Sequence, residues 1–162
     1  MSLAIRSARP EDSALIFALV HELAAYEKLT ADVDATQEQI AAALFAREPR
    51  LFCELGEWDG EPAGFAVWFL SFSTFRGRRG IYLEDIFVRP AFRRRGIGKA
   101  LLARLAKRCV DEGFARFEWA VLDWNAPSIA FYRSIGAQVM DEWRICRLSG
   151  EALQIFAREG AH

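Results

Sequence analysis

The feature that most restricts the fold is a basic turn that contains two glycines and joins an apolar strand to an amphipathic helix. The turn, Arg93-Arg94-Arg95-Gly96-Ile97-Gly98, follows the apolar run "IYLEDIFV". From Gly98 to Val110, leucines and other apolar residues recur at helical spacing. Glycines permit positive φ angles and let a ligand approach the backbone closely. Because the first N–H groups of a helix are unpaired and attract anions, the pattern predicts a phosphate site.

Two widely used phosphate motifs do not fit this turn. A P-loop, GxxxxGK[ST], would need glycine where Arg93 stands and a hydroxyl where Ala100 stands. A dinucleotide fingerprint needs three glycines, and only Gly96 and Gly98 are present. A pyrophosphate site and a solvated basic turn without a ligand remain as alternatives. The strand before the turn and the helix after it favour the pyrophosphate.

The charge balance argues against a general anionic partner. The 162 residues include 21 Lys or Arg and 22 Asp or Glu, although residues 89–108 alone hold eight basic residues and no acid. Near-neutrality gives no attraction to nucleic acid or to an anionic membrane. The chain shows no signal-peptide or membrane-spanning pattern, and its three cysteines are isolated. We therefore expect a cytoplasmic protein with one domain, residues 1–162, that binds neither nucleic acid nor membrane.

Hydrophobic periodicity and turn residues predict the element order β-α-α-β-β-β-α-β-α-β-α. This order is an α/β fold with a mostly antiparallel first half, followed by a strand–helix–strand crossover. The predicted segments are, in order, a strand in "LAIRSAR", a helix in "RPEDSALIFALVHELAAYEKL", a helix in "TQEQIAAALF", a hairpin in "RLFCELGEWDGEPAGFAVWFLSFS", a loop in "STFRGRRG", the strand and helix around the basic turn, a strand in "FARFEWAVL", a helix in "APSIAFYRSIG", a strand in "ICRLSG" and a helix in "EALQIFARE".

Two adjacent carboxylates, Glu84 and Asp85, lie in the middle of the apolar strand. Burying a carboxylate is costly unless it is paired, hydrated or used. Strand alternation puts the two side chains on opposite faces unless a bulge intervenes. We expect them to have different tasks, and for Asp85 a functional role and a hydrogen-bonded structural role both remain open.

Together with three further segments, the turn resembles the GCN5-related N-acetyltransferases (GNAT). The Arg/Gln-x-x-Gly-x-Gly/Ala turn of that family, which cradles the coenzyme A pyrophosphate, matches Arg93 to Gly98. "ELAAYEK", "YLEDIFV", "RRRGIGKALL" and "WNAPSIAFYRSIGA" resemble its diamine (spermidine/spermine) branch, which includes thialysine acetyltransferases. The likeness runs from "IRSARPEDS" to "EWRICRLSGEAL". It implies a GNAT-type acyl-CoA N-acyltransferase fold, with a mixed central sheet and helices on both faces.

The resemblance also implies a cofactor site for acetyl-CoA, the acetyl donor, and no metal. The strand backbone would hold the pantetheine arm, the turn would hold the pyrophosphate, and a later helix would line the far side. The residues implied are Ile86, Phe87, Val88, Arg93, Arg94, Arg95, Gly96, Ile97, Gly98, Lys99, Asn125, Ser128 and Tyr132.

For the acceptor side, the resemblance implies Tyr132 as general acid and Glu84 as the carboxylate that handles the amine proton. An alkyl ammonium has a pKa near 10.4, so we expect Glu84 to pass the proton through water rather than to act as a base of matched pKa. A phenol of pKa about 10 can protonate a thiolate. The substrate positions implied are Tyr26, Glu27, Glu84 and one of Asp141 or Glu142. Phe75, in the loop "STFRGRRG", departs from the Trp of many relatives, and we expect it to pack against the aliphatic part of the amine.

We also expect a strand bulge near Ile86 to free an N–H group as an oxyanion hole. His21 and His162 receive no role in this interpretation. The implied function is transfer of acetyl to a primary amine of a small cationic substrate, a polyamine, a diamine or a lysine-like amino acid, by a homodimer. A non-catalytic CoA-binding sensor and an acetyltransferase for protein or peptide amines remain as alternatives.

Overall fold

A computed structural model describes residues 1–160 of the chain, which divides into two compact units at Leu122–Asp123. Unit 1 contains the sheet and three α-helices, and unit 2 contains two further α-helices. The bounds are β1 Leu3–Ser7, α1 Ser13–Tyr26, α2 Gln37–Phe45, β2 Phe52–Trp58, β3 Glu61–Ser73, β4 Arg78–Val88, α3 Ile97–Asp111 and β5 Phe117–Trp119 in unit 1, then α4 Ala126–Ser134 and α5 Gly150–Ala157 in unit 2. None of the helices in residues 1–160 combines the length and the apolar character needed to cross a membrane.

The sheet of unit 1 has the strand order β1-β2-β3-β4-β5. Neighbouring strands from β1 to β4 are antiparallel, and β4 and β5 are parallel. Helix α3 connects the two parallel strands. The predicted α/β class, with an antiparallel first half and a strand–helix–strand crossover, is therefore confirmed.

Helices α1 and α2 cover one face of the sheet, which we call the α1 face. Their apolar side chains form a buried cluster with alternate residues of the central strands. The cluster contains Ile16, Leu19, Leu23, Leu44, Cys53, Leu55, Phe65, Val67 and Phe87. Burial of this many apolar side chains fixes which residues of β2, β3 and β4 point toward α1.

Helix α3 covers the opposite face, which we call the α3 face. A Cβ atom on Gly56 of β2 would lie 2.8 Å from Cγ2 of Ile97, so the first residue of α3 sits directly on the sheet where a side chain is missing. Farther along α3, the Arg108 guanidinium lies 4.9 Å from the centre of the Trp68 ring. The predicted mixed sheet with helices on both faces is confirmed.

An ion-pair network stabilises the start of unit 1. The Arg6 guanidinium donates to both carboxylate oxygens of Asp12, at 2.7 and 3.0 Å, and to Glu57 at 2.7 Å. The backbone N–H of Arg9 donates to Asp12 at 2.8 Å. The hydrogen bonds from Arg6 lower the pKa of Asp12, so this buried carboxylate is stabilised in its charged form.

Three predicted segments differ from the structure. The loop "STFRGRRG" is shorter than predicted, because β3 extends to Ser73 and β4 begins at Arg78. The strand in "FARFEWAVL" is limited to β5. The last strand is wrong: residues 145–149 have no regular structure, and Ile145 and Leu148 are exposed. An alternating pattern forms a strand only where a neighbour supplies backbone hydrogen bonds. His162 lies outside the described residues.

Candidate active site

Strand β4 contains a bulge at Glu84. Val67 of β3 pairs with Asp85, but the next residue of β3, Trp68, pairs with Leu83. Glu84 is therefore an extra residue in β4. Since directly paired residues share a face, Asp85 lies on the α1 face with Val67, whereas Leu83 lies on the α3 face with Trp68.

The position of the bulge corrects the sequence prediction, which placed it near Ile86. The observed bulge lies two residues earlier, and its physical reason is burial. If Leu83, Glu84 and Asp85 alternated strictly, Asp85 would lie on the α3 face with Leu83, where Trp68 is 1% exposed. An unpaired carboxylate buried there would cost several kcal/mol.

Three carboxylates meet near the bulge without a compensating cation. Burial, together with the nearby charges of Glu84 and Glu27, raises the pKa of Asp85 to about 7. Burial also raises the pKa of Glu27. Within residues 1–160, the structure records no hydrogen bond or ion pair to the carboxylate of Asp85, Glu84 or Glu27. The site therefore favours a cation, and the pKa of Asp85 suits proton transfer near neutral pH.

The end of α1 is held beside β4 by an ion pair and an aromatic contact. Nε and Nη2 of Arg89 donate to the two carboxylate oxygens of Glu22, at 3.0 and 2.8 Å. The ring centres of Tyr26 and Phe87 lie 6.2 Å apart. Glu27, which ends α1, is thereby kept on the same face as Asp85.

Beyond the bulge, one edge of β4 is open in the part of the chain that the structure describes. The pairing of β5 with β4 ends at Leu83 and Trp119. The N–H group of Arg89 bonds to the Ala63 carbonyl of β3. Because peptide groups alternate in direction along a strand, the N–H and C=O groups of Ile86 and Val88 point to the other edge, where the Val88 carbonyl already accepts a hydrogen bond from Arg93. This edge can pair with the amide groups of an extended ligand.

The turn after β4 has the backbone conformation of an anion-binding loop. Arg94 has φ 64° and Gly96 has φ 79°, and α3 begins directly afterwards at Ile97. The first helical bond runs from the N–H of Ala100 to the carbonyl of Gly96. The preceding N–H groups are therefore without helical partners. Nothing lies within 4 Å of a Cβ built at Gly96, so the backbone there is accessible.

The three consecutive arginines make different contacts. Nε of Arg93 donates to the Val88 carbonyl at 3.0 Å, and its guanidinium lies 4.8 Å from the Tyr26 ring centre and 5.7 Å from that of Phe87. The Arg95 guanidinium lies 5.1 Å from the Trp58 ring and 5.6 Å from the Phe92 ring. Arg94 and Lys99 are exposed, and no side-chain contact is recorded for either within residues 1–160.

Phe75 is at the tip of the hairpin between β3 and β4 and is fully exposed, so no packing role is visible for it among the described residues. The sequence implied a contact between Phe75 and the substrate. Its role stays a prediction.

Unit 2 contains the remaining predicted residues. Asn125 caps α4, because its side-chain oxygen accepts the N–H of Ser128 at 3.4 Å. Tyr132 lies on the same helix and is 9% exposed. Asp141 and Glu142 are exposed in a turn. The helix forms as predicted, while the roles of these residues stay predictions.

The two adjacent carboxylates of β4 differ in their surroundings. The sequence implied Glu84 as the carboxylate that handles the amine proton and left the role of Asp85 open. Glu84 is exposed and Asp85 has the strongly raised pKa, and both roles stay predictions. The sequence signal for the bulge was present, since two adjacent acids inside an apolar strand already required a bulge if both were to avoid the α3 face.

Two further features of the described residues bear on other kinds of site. No group of three His, Cys, Asp or Glu side chains in residues 1–160 is arranged to hold a metal ion. A groove of about 370 Å³ outside α3 is lined by Glu54, Arg104, Leu105, Lys107, Arg108, Asp111 and Glu112. Its three basic side chains are already ion-paired, so the groove is a solvated charged surface.

Comparison with known proteins decides the family. The model of the Acetyltransferase (GNAT) family matches residues 14–137, about three quarters of the chain. The chain belongs to the GNAT family. The match extends across the boundary between the two units, and the prediction of one domain over residues 1–162 stays a prediction.

Curated GNAT relatives align over most of the chain. A thialysine N-epsilon-acetyltransferase from Bos taurus is 37% identical over 164 residues, covering 94% of this chain and 96% of the relative. The L-ornithine N5-acetyltransferase NATA1 from Arabidopsis thaliana is 34% identical over 195 residues, covering 93% and 86%. The predicted resemblance to the family and to its thialysine branch is confirmed, and the protein is an N-acetyltransferase.

A solved structure supports the fold. The structure of AAC(6')-Iy in complex with the bisubstrate analog CoA-S-monomethyl-acetylneamine superposes with a TM-score of 0.75 at 19% identity. The superposition covers 93% of this chain and 100% of that one. The GNAT-type acyltransferase fold predicted from the sequence is therefore confirmed.

Proposed function

We propose that this GNAT protein transfers the acetyl group of acetyl-CoA to a primary amine of a small cationic substrate, a polyamine, a diamine or a lysine-like amino acid. The observation that carries the proposal is the uncompensated carboxylate group at the β4 bulge, next to an open strand edge that leads to an anion-binding turn. The relatives named for thialysine and ornithine support a small amine as acceptor.

The donor side would use backbone more than side chains. Ile86 and Val88 would pair with the pantetheine amides along the open edge of β4. The N–H groups at the start of α3 would bind the pyrophosphate. The CoA-containing bisubstrate analogue bound to AAC(6')-Iy supports coenzyme A chemistry for this fold.

The acceptor side would select a cation and then remove its proton. An ammonium with a pKa near 10.4 costs about 4–5 kcal/mol to deprotonate at pH 7. The negative charges of Glu27, Glu84 and Asp85 attract the cation, which by itself favours the charged form. Asp85 has a raised pKa and can accept the proton, directly or through Glu84 and water, once the amine is in place.

The reaction would then be direct attack on the thioester. The amine nitrogen forms a bond to the acetyl carbon, and the bond from that carbon to sulfur breaks. An N–H group on the open edge of β4 would stabilise the intermediate oxygen. Tyr132 would donate a proton to the leaving thiolate, as the resemblance of its helix to the family implies.

A panel of amines tests the function. Protein and acetyl-CoA are mixed with thialysine, ornithine, lysine, putrescine or spermidine, and free thiol is followed over time. We expect amine-dependent thiol release, with kcat/KM highest for one of these small cations. Thiol release with peptide amines only would assign a protein acetyltransferase. Binding of CoA without release from any amine would assign a sensor and contradict the proposal.

Two further parts of the proposal concern the protein as a whole. We infer a homodimer, and unit 2 supports it because several of its large apolar side chains are exposed, among them Trp143, Ile145 and Phe156. We also infer a cytoplasmic location. Sedimentation equilibrium tests the dimer, and a single species at the monomer mass at micromolar concentration would contradict it.

A further inference from the structure

Three consecutive arginines, Arg93, Arg94 and Arg95, begin the basic turn after β4. Their side chains have different neighbours in the structure. Arg93 and Arg95 each lie against two aromatic rings, whereas Arg94 does not. A guanidinium is attracted to the face of an aromatic ring, so these contacts hold Arg93 and Arg95 in place, and no such contact is recorded for Arg94 within residues 1–160.

Arg95 connects the turn to the far end of the sheet. Trp58, the last residue of β2, pairs with Leu3 of β1 and with Glu61 of β3, so its backbone is fixed on both sides. Phe92 belongs to the short 3-10 turn Pro90–Phe92 that follows β4. The Arg95 guanidinium lies beside both rings. This contact holds the end of the turn at a defined distance from the sheet.

Arg94 is held in a conformation that a residue with a side chain adopts at a cost. Its φ of 64° is in the left-handed region, where a residue other than glycine loses roughly 1–2 kcal/mol. Glycine would avoid this cost at the same position. The side chain is exposed, and no hydrogen bond, ion pair or ring contact of it is recorded within residues 1–160, so the guanidinium is accessible to an external anion.

We propose that the three arginines are divided between two tasks: Arg93 and Arg95 are positioning residues, with Trp58 as the partner of Arg95, and Arg94 alone contacts a phosphate of the cofactor. This inference rests on the proposed function, because it takes coenzyme A as the ligand of the turn. It adds Trp58, which belongs to no phosphate motif, to the residues that determine cofactor affinity.

Adjacent residues of the same type provide matched variants. Arg94→Gln and Arg95→Gln each remove one charge and keep a side chain of similar reach. The dissociation constant of CoA is measured by calorimetry at low salt, and Tm is measured without ligand. We expect Arg94→Gln to raise the dissociation constant about 10-fold with Tm unchanged, which corresponds to about 1.4 kcal/mol. Arg95→Gln should lower Tm and raise the dissociation constant only about 3-fold.

Variants of Trp58, the aromatic partner of Arg95, distinguish the loss of the ring contact from a general loss of stability. Trp58→Leu should reproduce the effect of Arg95→Gln on CoA binding, and the double variant should be no worse than either single variant. Trp58→Phe keeps a ring under the guanidinium and should restore binding. Additive losses in the double variant, or no rescue by phenylalanine, would overturn the role of Trp58.

A second binding measurement, with 3′-dephospho-CoA in place of CoA, identifies which phosphate Arg94 contacts. If the loss in Arg94→Gln vanishes with 3′-dephospho-CoA, the contact is with the 3′-phosphate; if the loss stays, the contact is with the pyrophosphate. Both results support the division. Equal losses of CoA affinity in Arg94→Gln and Arg95→Gln, with Tm unchanged in both, would overturn it. Failure of the wild-type protein to bind CoA would instead contradict the proposed function.

Discussion

Two aspartates in unit 1, Asp12 and Asp85, have opposite environments. Asp12 receives two hydrogen bonds from Arg6 and one from the backbone of Arg9, and its pKa is lowered. Asp85 has no such donor among the described residues, and its pKa is raised to about 7. The same side chain is stabilised in its charged form at one place and destabilised at the other. A half-buried carboxylate without a compensating cation is therefore a better candidate for a functional role than a paired one.

The largest effect should follow from removing the uncompensated carboxylate. We expect Asp85→Asn to lower kcat/KM for the best amine about 10²–10⁴-fold, the range typical of lost acid–base catalysis. The surface variant Asp111→Asn, which breaks only the exposed pair with Lys107, serves as control and should keep full activity. Steady-state kinetics with saturating acetyl-CoA measure both. Full activity in Asp85→Asn would remove Asp85 from the mechanism.

The next effect concerns stability at the paired carboxylate. Asp12→Asn leaves the half-buried Arg6 with only Glu57 as a charged partner, and we expect a loss of about 2–4 kcal/mol in the free energy of unfolding at pH 7. Urea unfolding measures the loss, and activity per folded molecule should not change. A loss below about 0.5 kcal/mol would mean that the network is only a surface pair.

The features that the sequence predicted correctly are those that depend on neighbouring residues in the chain. The basic turn, α3 and the Asp59-Gly60 hairpin follow from the residues that form them, and all were predicted. The bulge at Glu84 depends on which face of the sheet α3 covers. That packing is a tertiary property, which the local sequence does not determine. The missing last strand has the same cause, because a strand depends on its neighbour. The three arginines are indistinguishable in sequence, and only their aromatic partners separate them.

The two aspartates should also differ in how they change stability with pH, which is a smaller effect. Because the folded-state pKa of Asp85 is raised, its contribution to stability is present below about pH 4 and is lost as pH rises through about 7. Asp85→Asn should therefore be more stable than wild type by about 1–3 kcal/mol at pH 8 and equal at pH 4. The lowered pKa of Asp12 gives the opposite sign, with stability lost as pH falls below about 4. Chemical denaturation at both pH values measures the difference; equal stabilities at pH 8 would contradict the raised pKa.

The smallest effect tests the coupling between the carboxylates. The charge of Glu27 helps to raise the pKa of Asp85, so Glu27→Gln should move the acidic limb of the kcat/KM profile to lower pH, by a few tenths of a unit. The same variant should raise KM for a dication more than KM for a monocation. A shift of the limb to higher pH would contradict the assignment of that limb to Asp85.

The extra residue in β4 also has a consequence for how this protein can change over time. Deleting the codon for residue 84 would make Leu83 and Asp85 neighbours, still opposite Trp68 and Val67, so the ladder would become regular and the flanking side chains would keep their faces. A deletion elsewhere in β4 would instead exchange inward and outward side chains. Lineages that diverge in amine preference can therefore lose this one residue without repacking the sheet, whereas they must preserve the rest of the strand.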